Sequence, residues 1–141
     1  MIPTDSDARA LVDAEHVRIL AICHFVAAGL AFVAFGFASL YFAMIQAFFA
    51  NPAMWAKSPN GPPPAEFIAI FRWFVGVFMV WFLVSAVGNL LSGLFMRTRR
   101  HRIFSMVVAG INCAHIPLGT VLGIFTFTVL ARDSVRKSYE A

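Results

Sequence analysis

The sequence predicts an all-α integral membrane helical bundle, with two long transmembrane helices followed by a short helical hairpin broken near Pro117, four helical segments in all. Composition is the first observation behind this. Hydrophobic residues make up 60% of the 141 residues and charged residues 13%, with a mean hydropathy of +0.79, whereas soluble domains average about 45–50% apolar and about 25% charged. The second is segmentation: one proline-rich and one arginine-rich stretch separate apolar runs of bilayer-spanning length. The third is where the basic residues stand. They flank the apolar runs, so the net charge of +4 reads as a topology signal and not as a footprint for nucleic acid.

Residues 1–17 are polar and predict a cytoplasmic N-terminal helix. Asp5 or Ser6 suits its N-cap, Asp7 favours its first turn, and Leu11, Ala14 and Val17 share a face. The stretch has no basic start, apolar core or small-residue cleavage site, so the amino terminus is expected to be retained. Residues 18–50 form the first span, interrupted by His24 and Gln46. About twenty helical residues cross a bilayer core of about 30 Å, so the run overshoots by about ten residues from Tyr41 onward. Ala27, Gly29, Ala31, Ala34, Gly36 and Ala38 supply small positions for the close approach of a neighbouring helix.

Residues 51–66 form the outer loop, where Pro52, Pro59, Asn60-Gly61 and Pro62 to Pro64 forbid a continuous helix and Lys57 is the single cation. The second span, residues 67–96, overshoots on the same side over 67–75. Arg72 can snorkel there while Trp73 anchors the helix. Ser85, Gly88 and Ser92 give this span a small-residue face, and Asn89 a polar one.

After the basic inner loop 97–102, residues 103–131 are too long for one upright helix and too short for two full spans. Charge decides between them. A hairpin of 103–116 and 118–131 places nine cations inside (Arg9, Arg18, Arg97, Arg99, Arg100, Arg102, Arg132, Arg136 and Lys137), against Lys57 and Arg72 outside. A single kinked helix, the competing reading, gives six against five. Pro117 removes a backbone donor and disfavours helix at Ile116, while Gly119 eases a turn. The hairpin puts both termini, including the tail 132–141, in the cytoplasm.

The blocks HVRILAICHFVAAGLAF and IPLGTVLGIFTFTVLARDSVRKSY, with the arginine-rich connection between them, resemble an uncharacterised family of small bacterial inner-membrane proteins. The family's carboxy-terminal block reads Phe-Pro-x-Gly-Thr-x-Leu-Gly-x-Phe-Thr and then Arg-Pro-Ser-Val. Here Ile116 replaces the phenylalanine and Asp133 the second proline. The resemblance implies a multi-pass protein of the bacterial inner membrane and carries no established activity.

Few residues can carry chemistry. His24, Asn89 and Asn112 lie six, eight and ten residues from Arg18, Arg97 and Arg102, at comparable depths of about 9, 12 and 15 Å. Unpaired, they are costly in hydrocarbon, so they are expected to meet and hydrogen-bond, as structural glue or as part of a pathway. At the hairpin tip, His115 and Pro117 border an expected recess. Gly119 and Gly123 form a GxxxG whose facing small positions are expected at Gly110 and Ala114. His24 and His115 are poorly matched in depth for haem ligation. Cys23 and Cys113 read as buried free thiols, too different in depth for a disulfide.

With no nucleophile–base pair, phosphate loop, metal motif or paired carboxylates, the expectation is a protein that is not an enzyme and has no cofactor or metal. Its partners are expected to be the lipid bilayer and other integral membrane subunits, without nucleic acid, and with a homo-oligomer left open. The leading functional expectation is an accessory or structural subunit of a larger, energy-transducing membrane complex. A small channel or carrier is the alternative, and a histidine-ligated cofactor protein the weaker one.

Overall fold

The computed structural model describes residues 5–56, 59, 61–115 and 117–140, without the side chains of residues 5–7, 9 and 140. Lys57, Asn60, Ile116 and the side chains of Asp5, Ser6, Asp7 and Arg9 therefore lie outside the described residues. The described chain is all-helical, with six helices in place of four: α1 (Asp5–Ala50), α2 (Pro52–Trp55), α3 (Ala65–Thr98), α4 (Arg102–Cys113), α5 (Leu118–Leu130) and α6 (Asp133–Glu140). Two of them, over Ala10–Ala50 and Ala65–Thr98, are long and apolar enough to cross a membrane.

The N-terminal helix runs directly into the first span as α1, because nothing between Glu15 and Leu20 breaks a helix. The two further helices, α2 and α6, have local causes. In the outer loop, Pro52 starts a helix instead of preventing one. It sits at the first turn, where its missing N–H costs nothing, and Asn51 Oδ1 caps it by accepting from Ala53 N–H at 3.1 Å. The tail is helical as well, turning by 79° from α5 and burying Val135.

The chain divides into two compact units. The first contains α1 up to Leu30 and everything from Ser85 onward. Its core is a set of single-face stripes: Val17, Leu20, Ala21, His24 and Ala28 on α1; Ser85, Ala86, Asn89, Ser92, Gly93 and Met96 on α3; Ser105, Val108, Ala109 and Asn112 on α4; Gly123, Thr126, Val129 and Leu130 on α5. The spacings are those of one helical face. What they enclose mixes Leu20, Met96 and Leu130 with many small or polar residues, while other large apolar residues such as Ile22, Val26, Leu94, Ile103, Val107 and Phe125 point outward. The apolar exterior around a partly polar core fits a hydrocarbon surround.

The hairpin is antiparallel, since the feet meet where Arg102 Nε–H donates to the Leu130 carbonyl at 2.7 Å. Near the tip, His115 N–H donates to Asn112 O at 2.8 Å and Thr120 Oγ–H to Cys113 O at 2.9 Å, satisfying carbonyls that the end of α4 leaves open. Helix α4 stops at Cys113, short of 116, because the chain turns before the proline. Gly119 and Gly123 bring the two backbones together. A Cβ on Gly123 would lie 2.5 Å from both Ala109 O and Cys113 Sγ, and one on Gly119 would collide with Asn112 O and His115 Cβ. Gly110 and Ala114 are exposed, so the facing positions are Ala109, Asn112 and Cys113 instead.

The second unit comprises Ala31–Val84. Phe48, Phe49, Trp55 and Phe71 cluster there, with Phe49 stacked on Trp55 at 6.0 Å. No described residue between 31 and 84 is buried. A Cβ added at Gly36 would meet nothing within 4 Å, and Gly29 in the first unit is equally open, so these α1 glycines are not sites of close helix approach.

Candidate functional site

The polar core of the first unit is the most organised group of side chains in the molecule. Asn89 is its centre. Its amide Nδ2 donates to Ser85 O at 2.8 Å and to Asn112 Oδ1 at 2.9 Å, and its Oδ1 accepts from Asn112 Nδ2 at 2.7 Å. The same Oδ1 lies 2.8 Å from His24 Nδ1. Because a backbone carbonyl only accepts, the Ser85 contact fixes which end of the amide is nitrogen. Oδ1 therefore faces the imidazole, and His24 Nδ1 carries the proton. The structure thus brings His24, Asn89 and Asn112 together, all nearly or fully buried.

The fourth member is Thr126, whose hydroxyl lies 3.1 Å from His24 Nε2 and 2.8 Å from Leu122 O. It has one proton for two acceptors. Beyond this network, the Ser92 and Ser105 hydroxyls are fully buried and have no partner. Sequence reasoning missed Thr126 and Ser105. Their signal was weak, because Ser and Thr on apolar helices usually bond their own preceding turn, as Thr126 also does.

The chemistry available here is hydrogen bonding. Every polar site on the Asn89 side chain is engaged by the protein, and amides do not relay protons as imidazole or carboxylate groups do. With Nδ1 as donor to Asn89, His24 Nε2 is an acceptor that competes with Leu122 O for the single Thr126 hydroxyl proton. His115 is half-buried at the tip, with Nε2 3.4 Å from Ser85 Oγ and Nδ1 3.3 Å from Ile111 O. Pro117 and Leu118 beside it are exposed. Among the described residues no group of three His, Cys, Asp or Glu is placed to hold a metal. Cys23 is exposed and Cys113 half-buried, both as free thiols, so neither is the buried thiol expected.

The basic residues collect where α3, α4, α5 and α6 begin or end. Arg97, Arg99, Arg100, Arg132, Arg136 and Lys137 are exposed and Arg102 half-buried. Asp13 on the first helix reaches them, accepting from Arg132 Nη1–H at 2.8 Å and from Ser134 Oγ–H. The first helix thereby gains a polar tie to the start of α6. A cavity of about 80 Å³ lies beside this tie, lined by Asp13, Val17, Arg99, Ser134, Val135 and Ser138 among others.

In the second unit an open groove of about 700 Å³ runs along α3, lined by Ala69, Arg72, Trp73, Gly76, Val77 and Val80. No known protein family, characterised protein or solved structure matches the chain.

Proposed function

We propose that the protein is a non-enzymatic, multi-pass subunit of the bacterial inner membrane, with both termini in the cytoplasm, that docks through its second unit onto a larger membrane complex. The observation that carries this reading is the lack of any buried described residue between 31 and 84, although the helical parts of that stretch, 31–50 and 67–84, are mostly apolar. Lipid covers only about twenty residues of each helix. With 46 residues in α1 and 34 in α3, apolar side chains such as Ile70, Trp73 and Phe74 are left needing cover that a protein neighbour supplies.

Charge and composition support the placement, with nine cations on the cytoplasmic side against two outside. In this reading the polar core is an anchor. Its hydrogen bonds are closed within the protein, as suits a scaffold better than a path for ions.

A photo-crosslinking residue at Phe74 or Val80, compared with one at Val107 on α4, tests the proposal in the native membrane. Gentle extraction and native electrophoresis should show a large assembly, with a discrete protein adduct at the first two positions only. Migration as a lone monomer with no adduct overturns it.

A further inference from the structure

Hydroxyls on these helices satisfy themselves where they can. Thr98, Thr126 and Thr128 each donate to the carbonyl four residues earlier at 2.8–3.0 Å, and Ser39 and Ser138 close on their own preceding turns in the same way. Ser92 and Ser105 do not. Both side chains are fully buried, and neither hydroxyl has a hydrogen-bond partner among the described residues. A buried hydroxyl left unpaired is costly, so two of them call for a partner.

Their positions put them opposite one another. Helices α3 and α4 run antiparallel on either side of the turn between Thr98 and Arg102. Three contacts fix their register: Asn89 bonded to Asn112, a Cβ on Gly88 3.6 Å from Val108 Cγ2, and the Phe95 and Phe104 rings 5.2 Å apart. From Gly88 and Val108, one turn toward the basic loop reaches Ser92, four residues on, and Ser105, three residues back. The serines therefore share a layer, with the amide pair on one side and the phenylalanine pair on the other. They stand five residues from Arg97 and three from Arg102, about 8 and 5 Å inside the basic residues.

We infer that this layer holds one structural water molecule, bridging the Ser92 and Ser105 hydroxyls. Serine fills far less of the space between two helices than the asparagine and phenylalanine pairs that set their spacing on either side, and one water takes up about 30 Å³. The hydrogen-bond count closes. Each hydroxyl can donate and accept, so the water accepts from one serine and donates to the other, and its second proton goes to the free lone pair of a helix carbonyl. Two hydroxyls that would be orphans become a joint between α3 and α4, one turn from the Asn89–Asn112 pair. The site does not rest on the docking proposal, since both serines belong to the first unit.

The experiment is magic-angle-spinning NMR of the isotopically labelled full chain in lipid bilayers, reading magnetisation transfer from water to the Ser92 and Ser105 backbone amides, with melting of serine variants alongside. Transfer should appear at both amides, above the level at the buried Ala28. Ser92→Ala should abolish it at Ser105, and Ser105→Ala at Ser92, because neither serine holds the water alone. Each single variant should melt roughly 2–5 °C lower than the wild type. Ser92→Ala/Ser105→Ala should melt no lower than either single, since the second substitution removes a hydroxyl already orphaned. No transfer in the wild type overturns the inference, whether the serines then prove uncoupled or bonded directly to each other. Single variants that leave the other serine's water signal intact overturn it too. The wild-type measurement decides the matter if a variant fails to fold.

Discussion

Asn89 and Asn112 exchange a reciprocal pair of amide hydrogen bonds, at 2.9 and 2.7 Å, between helices 23 residues apart in the chain. The pair joins the second long helix to the hairpin, and His24 adds the first long helix through the same Asn89 oxygen. Three helices therefore meet on one side chain.

Asn112→Leu removes both members of the pair and leaves part of the Asn89 amide unmatched. The expected loss is about 1–3 kcal/mol, above the roughly 0.6 kcal/mol average for a single hydrogen bond between membrane helices. Asn89→Leu should cost more, because it also strands the His24 Nδ1 proton. The double variant Asn89→Leu/Asn112→Leu should be less destabilised than the sum of the singles. Melting in detergent, followed by circular dichroism, measures all three; an unchanged midpoint for Asn112→Leu removes the claim that the pair holds the bundle.

Two glycines offer a direct contrast. Gly123→Ala places a methyl 2.5 Å from Ala109 O and Cys113 Sγ, so the hairpin must spread, at about 1–3 kcal/mol for overpacking. Gly29→Ala meets nothing within 4 Å and should raise stability by about 0.5–1 kcal/mol through helix propensity. If both substitutions melt alike, backbone contact in the hairpin is not what Gly123 provides.

The antiparallel feet, where Arg102 and Leu130 are joined, put both ends of the hairpin on one side, and the proposed topology makes that side the cytoplasm. Reporters fused after Ala141 and before Met1 should both read cytoplasmic, and one inserted at Gly61 should read periplasmic. A periplasmic reading at the carboxy terminus would separate the two basic clusters and reverse the charge argument.

Much of the architecture was legible because its signals are large. Two runs of lipid-spanning hydropathy, a proline-rich break and arginines at the ends of apolar runs announce long helices and a turn. The comparable depth of His24, Asn89 and Asn112 came from counting residues along helices, which needs only the helical rise. What counting cannot supply is rotation about a helix axis. The partners of Gly119 and Gly123 were therefore placed at Gly110 and Ala114, when the helix turns Ala109 and Cys113 toward them. Pro52 misled because proline both forbids a helix interior and favours a helix start. Helix α6 was hidden by its charges; only Val135 and Tyr139, four residues apart, mark its covered face.

The dimensions of the hairpin bear on how the protein is made. Helix α4 has 12 residues and α5 has 13, each about 18–20 Å, well short of a bilayer core of about 30 Å. Neither is a segment that the insertion machinery can hand to the lipid alone, and α4 arriving first would carry Ser105 and Asn112 into hydrocarbon uncovered. The pair is suited to enter the bilayer as one unit, packed against the second long helix, and the Arg102–Leu130 contact at 2.7 Å is the clasp that holds its two feet together.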